Sequence, residues 1–100
     1  MKYYMVQGVL KITDPNELDQ TIMKSHIAYT QKAMDAGMFL LSGLKADMSG
    51  GLFLIKCETR QQLDEYLNNE PLYLANVQEY QVTEFQPHYF NPSLSDWMEK

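Results

Sequence analysis

The stretch AGMFLLSGLKADMSGGLFLIKC, residues 36–57, decides the fold. Two short apolar runs, Met38–Leu44 and Leu52–Cys57, flank a polar segment, Lys45–Ser49, that ends in Gly50-Gly51. Runs of this length bounded by turn residues are strands, and the glycine pair is a hairpin turn signal. Neither run alternates. Met38 and Leu40 fall on one strand face and Phe39 and Leu41 on the other, and Leu52 and Leu54 stand against Phe53 and Ile55. A half-solvated antiparallel sheet alternates, so both faces of these central strands need cover. Gly43, near the end of the first run, points to a bulge or a close backbone approach.

Upstream, Tyr3–Leu10 is rich in β-formers and is expected to be the first strand. In Asp14-Pro15-Asn16-Glu17, Asp14 suits an N-cap and Pro15 the first helical position. A long helix then runs from Glu17 to Ala36, stopped by Gly37 as an αL residue. Downstream, Thr59 and Gln62 have the spacing of a capping box. The helix they open is short, shows Leu63, Tyr66 and Leu67 on one face, and ends before Pro71. Leu72–Asn76 is a compact turn, one turn of 3₁₀ helix, and Val77–Phe85 is the fourth strand, which Pro87 ends. The order βαββαβ is that of a ferredoxin-like α+β sandwich, a four-stranded antiparallel sheet with both helices on one face. Residues 1–87 form this domain. Residues 88–100, with Tyr89, Phe90, Leu94 and Trp97, form a C-terminal extension expected to dock on the domain or on a dimer partner.

Composition narrows the function classes. The chain has 100 residues, 45% apolar and 21% charged, which suits one soluble domain. Its net charge is −5 and its eight Lys and Arg are scattered, so nucleic acid is not an expected partner. No window approaches a membrane span of about 18 apolar residues, and the N-terminus has the look of a strand, not a signal peptide. The single Cys57 excludes an intrachain disulfide and a Cys-based zinc site. A cytoplasmic location is expected.

Covering the second sheet face requires either the extension alone or a second copy packed sheet to sheet. Four apolar tail side chains are few for such a face, so a homodimer enclosing space between sheet and helices is the expectation.

The long helix carries the one suggestive titratable group. With about 100° per residue from Leu18, an apolar arc spans Leu18, Tyr29, Ala36, Ile22 and Ala33 through to Met23, Met34 and Ile27. His26 lands near 80°, close to the middle of that arc. A buried imidazole is either bonded to a partner or faces a cavity, and its ordinary pKa near neutrality suits general acid–base work. Glu70, before Pro71, could orient such a ring and stabilise its charged form. Ser42 and Gly43 end the second strand, where a ligand could approach backbone, and Tyr4, Tyr29 and Tyr73 could line a pocket or simply pack. No metal-ligand spacing and no GxGxxG, Walker or GxSxG motif is present, so neither metal nor nucleotide cofactor is expected.

Several of these pieces together resemble the YciI-like family of dimeric α+β barrels, relatives of the muconolactone isomerase fold. They are Ser-His-Ile-Ala-Tyr (25–29), Ala-Gly-Met-Phe-Leu-Leu-Ser-Gly-Leu (36–44), Gly-Gly-Leu-Phe-Leu-Ile-Lys-Cys (50–57) and Asn-Glu-Pro-Leu-Tyr-Leu-Ala-Asn-Val (69–77). The resemblance spans Tyr3 to about Phe85. It implies a ferredoxin-like protomer, a homodimer whose sheets form a barrel, and a cleft near a family histidine that falls on His26. An Asp-Pro pair after the second helix is thought to give that histidine an acidic partner; here Glu70-Pro71 keeps the charge and adds a methylene. Leu74-Ala75-Asn76 stands where glycine is common, and the extension matches no family feature.

Three functions fit. One is a cofactor-independent enzyme in which His26, aided by Glu70, moves a proton on a small cyclic or aromatic metabolite in an elimination, isomerisation or lactone rearrangement. Another is a non-catalytic small-ligand-binding or assembly module, which needs His26 buried and bonded with no sizeable cavity. The third is the cofactor-independent monooxygenase type that shares the barrel.

Overall fold

A computed structural model of the chain describes residues 1–14 and 17–99. Its elements are β1 (Lys2–Leu10), α1 (Gln20–Asp35), β2 (Phe39–Leu44), β3 (Gly51–Cys57), α2 (Arg60–Asn68), α3 (Pro71–Leu74), β4 (Gln78–Phe85) and α4 (Ser95–Glu99), the last preceded by a 3₁₀ turn at Pro92–Leu94. The sheet order is β2-β3-β1-β4, and each neighbouring pair is antiparallel. This is the ferredoxin-like α+β arrangement. β2 is therefore an edge strand, not a central one.

Alternation builds the core. Tyr4 and Val6 of β1 and Phe53, Ile55 and Cys57 of β3 point to the helix side, where they bury with Ala33 of α1 and Leu63 and Leu67 of α2. The Phe39 and Phe53 rings stack with centroids 4.6 Å apart. Burial pushes the Cys57 thiol up to about 11, so it is an inert core group at neutral pH.

Local signals explain most element ends. Thr59 accepts from the Gln62 N–H at 3.1 Å, and the Gln62 side chain reaches back to the Glu58 N–H at 2.8 Å. Gly37 sits at φ +80 just beyond α1. The start of α1 differs from expectation: Asp19 is the N-cap, accepting from the Thr21 N–H at 2.7 Å, and the helix begins at Gln20. Pro15, expected at the first helical position, lies outside the described residues. The segment after α2 also differs. It is an α-turn from Pro71 to Leu74, closed by Leu74 N–H to Glu70 O at 2.9 Å.

The irregularity in β2 is at Leu40, not at Gly43. Phe39 pairs with Ile55 but Leu41 with Leu54, so β2 holds one extra residue there. The extra residue reverses the faces beyond it: Ser42, opposite Phe53, joins Phe39 on the helix side, while Leu41 turns outward. Close approach instead belongs to Gly50, at φ +151, where a Cβ would lie 1.9 Å from the Gly8 carbonyl oxygen. Ser49 there accepts from the Leu10 N–H at 2.9 Å, tying the hairpin to the end of β1.

The extension packs on the outer sheet face. The Trp97 indole N–H donates to the Gly37 carbonyl at 2.9 Å, and the Lys56 ammonium lies 4.7 Å from the indole centroid. Tyr3 donates to the Met98 carbonyl and Lys56 to that of Trp97. Leu41 and Phe85 remain exposed on this face. Among the described residues no helix is long and apolar enough to cross a membrane.

Candidate active site

A cavity of about 300 Å³ opens on the helix side of the sheet, walled by Met23, Phe39, Phe53, Leu72 and Tyr66. Its polar members include His26, Thr30, Ser42, Glu70, Gln78 and Tyr80. An apolar chamber with a few convergent polar groups suits a small organic ligand.

Glu70 is placed by local chemistry. Pro71 supplies the fixed φ of a first helical residue and has no N–H to lose, so the residue before it becomes the N-cap of α3. In that position its Oε2 accepts the Leu72 N–H at 3.0 Å. The same oxygen accepts the Tyr80 hydroxyl at 2.6 Å, and Tyr80 in turn accepts from Gln78 Nε2 at 3.2 Å. Oε1 is left for His26, whose Nδ1 bonds to it. The Glu70 side chain is 3% exposed and that of His26 27%. His26 is carried on α1, which is clamped one turn later: the Tyr29 hydroxyl donates to the Tyr66 carbonyl at 2.6 Å, and the two rings stack at 4.7 Å.

The charges follow from these contacts. Burial alone pushes the Glu70 carboxyl up, but hydrogen bonds from His26 and Tyr80, the His26 charge and the Leu72 N–H together hold it below its ordinary value. Burial first, and then the bond to the Glu70 carboxylate, drive the Tyr80 phenol far above its ordinary range. Glu70 is thus the anion of the cluster and Tyr80 a fixed neutral donor. A neutral imidazole that donates from Nδ1 to the carboxylate carries its lone pair on Nε2, to which no group bonds among the described residues. Such an arrangement can take a proton at Nε2 and stabilise the resulting imidazolium.

Of the residues singled out from sequence, His26, Glu70, Ser42 and Gly43 meet at this cavity. The three tyrosines do not. Tyr4 is fully buried in the core, with the Arg60 guanidinium 5.9 Å from its ring centroid, and Tyr29 serves as the α1–α2 clamp. Tyr73 is 42% exposed and stacks on Tyr80 with ring centroids 6.1 Å apart. Tyr80 and Gln78 were not singled out. The period of two along β4 places Gln78, Tyr80 and Val82 on one face, and that alternation was the available signal. Among the described residues no group of three or more His, Cys, Asp or Glu could hold a metal ion.

The family model for the YCII-related domain matches residues 2–86. The chain belongs to the YCII-related family. Among solved structures, this YCII-related chain is similar to the 5-chloro-2-hydroxyhydroquinone dehydrochlorinase of Burkholderia phenoliruptrix AC1100 in complex with 2,5-dihydroxybenzoquinone. The identity is 18% and the TM-score 0.64, over 84% of this chain and 93% of that one. At that identity the likeness is one of fold. No curated protein sequence matches significantly.

Proposed function

We propose that this chain is a cofactor-independent acid–base enzyme that performs an elimination or isomerisation on a small cyclic or aromatic metabolite. His26 is the catalytic residue and Glu70 its positioning partner. The observation that carries this reading is the His26–Glu70 contact at the wall of an apolar cavity. In an elimination, Nε2 takes a proton from a substrate hydroxyl or carbon. The freed electron pair forms the new double bond, and a leaving group departs from the ring with its own bonding pair. Glu70 stabilises the imidazolium, which then returns its proton to solvent or, in an isomerisation, to a second carbon of the substrate. The aromatic walls, Phe39, Phe53 and Tyr66, suit a planar ring, and the dehydrochlorinase of the same fold offers halogenated hydroquinones as the first compounds to try.

The test is release of halide from such compounds, with the quinone chromophore as a second readout. His26→Ala is expected to stay folded and to lose about 10²- to 10⁴-fold in turnover. Unchanged turnover would remove His26 from the mechanism. Ligand binding without turnover in the parent protein would leave a non-catalytic binding module instead. The working form in this proposal is a homodimer joined through the outer sheet face. Light scattering should then give about twice the 11.7 kDa chain mass, whereas a monomer would undo the barrel. A reducing cytoplasm accords with the single buried thiol.

A further inference from the structure

The hydrogen bonds behind Glu70 run in one direction. An amide NH₂ can only donate, a phenol has one proton, and an ionised carboxylate can only accept. Gln78 Nε2 donates to the Tyr80 oxygen at 3.2 Å, so the one Tyr80 proton is committed to Glu70 Oε2 at 2.6 Å. The Leu72 N–H brings a second donor to the same oxygen at 3.0 Å. Oε2 is saturated with donors and Oε1 has only His26. Neither donor on Oε2 offers Glu70 an acceptor for a proton of its own, so a proton on the carboxyl could sit only on Oε1, facing His26.

The chain of bonds is anchored in the sheet. Gln78 is 6% exposed, at the start of β4, and lies against Gly8 of β1. A Cβ at position 8 would come within 2.7 Å of the Gln78 side-chain carbon and oxygen, so a glycine there makes the room that Gln78 occupies. The Tyr80 ring stacks with that of Tyr73 at 6.1 Å and meets that of Phe53 edge-on at 6.5 Å.

We propose that Tyr80 and Gln78 are positioning residues: together they keep Glu70 ionised and so fix His26 as the Nδ1–H tautomer, leaving Nε2 as the base. The proposal adds two residues behind the His26–Glu70 pair and rests on that pair's reading as the reacting site. The titratable groups that face Glu70 are His26 and Tyr29 from α1, Tyr66 from α2 and Tyr80 from β4. Of these, His26 and Tyr80 bond to the carboxylate.

The experiment needs no substrate, so it separates this proposal from the activity itself. The Glu70 carboxyl is followed by ¹³C NMR across pH in the full chain and assigned by its loss in Glu70→Gln. Imidazole ¹⁵N signals give the tautomer, with exposed His88 as the solvated reference. The parent protein should show Nδ1–H at His26 in its neutral form. Tyr80→Phe removes one oxygen and keeps the ring. It should move the Glu70 midpoint up by about one pH unit, a roughly tenfold change in its protonation equilibrium, the size expected for one lost bond to a charged group. Gln78→Met should move it in the same direction by less. An unmoved midpoint in Tyr80→Phe, a parent His26 protonated on Nε2, or a Gln78→Met shift that is absent or exceeds that of Tyr80→Phe would each overturn the proposal. Turnover that survives His26→Ala would instead strike the function and leave the titration result standing.

Discussion

The two faces of the sheet use polar groups in opposite ways. On the outer face, Trp97, Lys56 and Tyr3 all donate to backbone carbonyls, those of Gly37, Trp97 and Met98. Any residue supplies a carbonyl, so these bonds hold a segment in place without setting up chemistry. On the helix side the bonds around Glu70 join side chains from α1, from the residue that caps α3, and from β4, with the Leu72 N–H beside them. Such a network forms only if four particular residues meet, and it fixes which atoms carry protons. One face is built to hold chain against chain, the other to hold a charge.

The sharpest way to break this contrast is to remove the charge. Glu70→Ala leaves the Tyr80 hydroxyl, the Leu72 N–H and His26 without their acceptor at a position that is buried. A stability loss of about 3 kcal/mol is expected by denaturant unfolding, the size typical of stranding buried polar partners. The pH dependence has a defined sign. The folded Glu70 carboxyl lies below its ordinary value of 4.5, so its stabilisation is complete above that value and drains as pH falls through the lower folded one. Glu70→Ala should therefore flatten the acid limb of the stability curve. An unchanged acid limb would mean that the carboxylate does not contribute.

Next in size is the opposite face. Trp97→Ala deletes the indole bond to Gly37 and the rings and charge that gather on Tyr3 and Lys56. About 2 kcal/mol is the expected cost, since Trp97 is only half-buried and a full core truncation of an aromatic costs about 3 to 5. Hydrogen exchange should quicken over Ser95–Met98 and stay unchanged at Leu72, whose amide belongs to the other network. Coupled changes at both places would show that the faces are not independent.

What could be read ahead of the structure follows the same division between local and distant causes. The Thr59 cap, the αL glycine at 37 and the succession of strands and helices along the chain are set by local stretches, and each is visible in sequence. His26 was visible through helical period alone, because one turn of helix dictates which residues share a face. The cap of α1 was misplaced because Asp14 and Asp19 are both capable, and the seating of the helix chooses between them. Gly43 points in sequence to a bulge or a close backbone approach, yet pairing with β3 puts the extra residue at Leu40, where no glycine marks it. Tyr80 meets Glu70 only once β4 has paired with β1, which no local pattern announces. For Tyr29 the sequence leaves two readings, pocket wall or packing, and its hydroxyl bond to the Tyr66 carbonyl makes it a clamp between helices.

The smallest expected effect sharpens the comparison most finely. Gly43 belongs to the rim of the helix-side cavity, its backbone conformation is open to other residues, and a Cβ there would meet no atom within 4 Å. Gly43→Ala should therefore raise stability slightly, by about 0.5 kcal/mol, through a less mobile unfolded chain. Gly43 pairs with Leu52 and shares the outward face of Leu41, so the added methyl points away from the cavity, and ligand affinity and the Glu70 titration should both stay where they were. Thermal unfolding together with ligand titration would check both expectations. A change in stability of the opposite sign would mean that β2 needs the freedom of a glycine there. A change in the Glu70 midpoint would mean that the rim and the charge network are one unit, because nothing bonds Gly43 to that network.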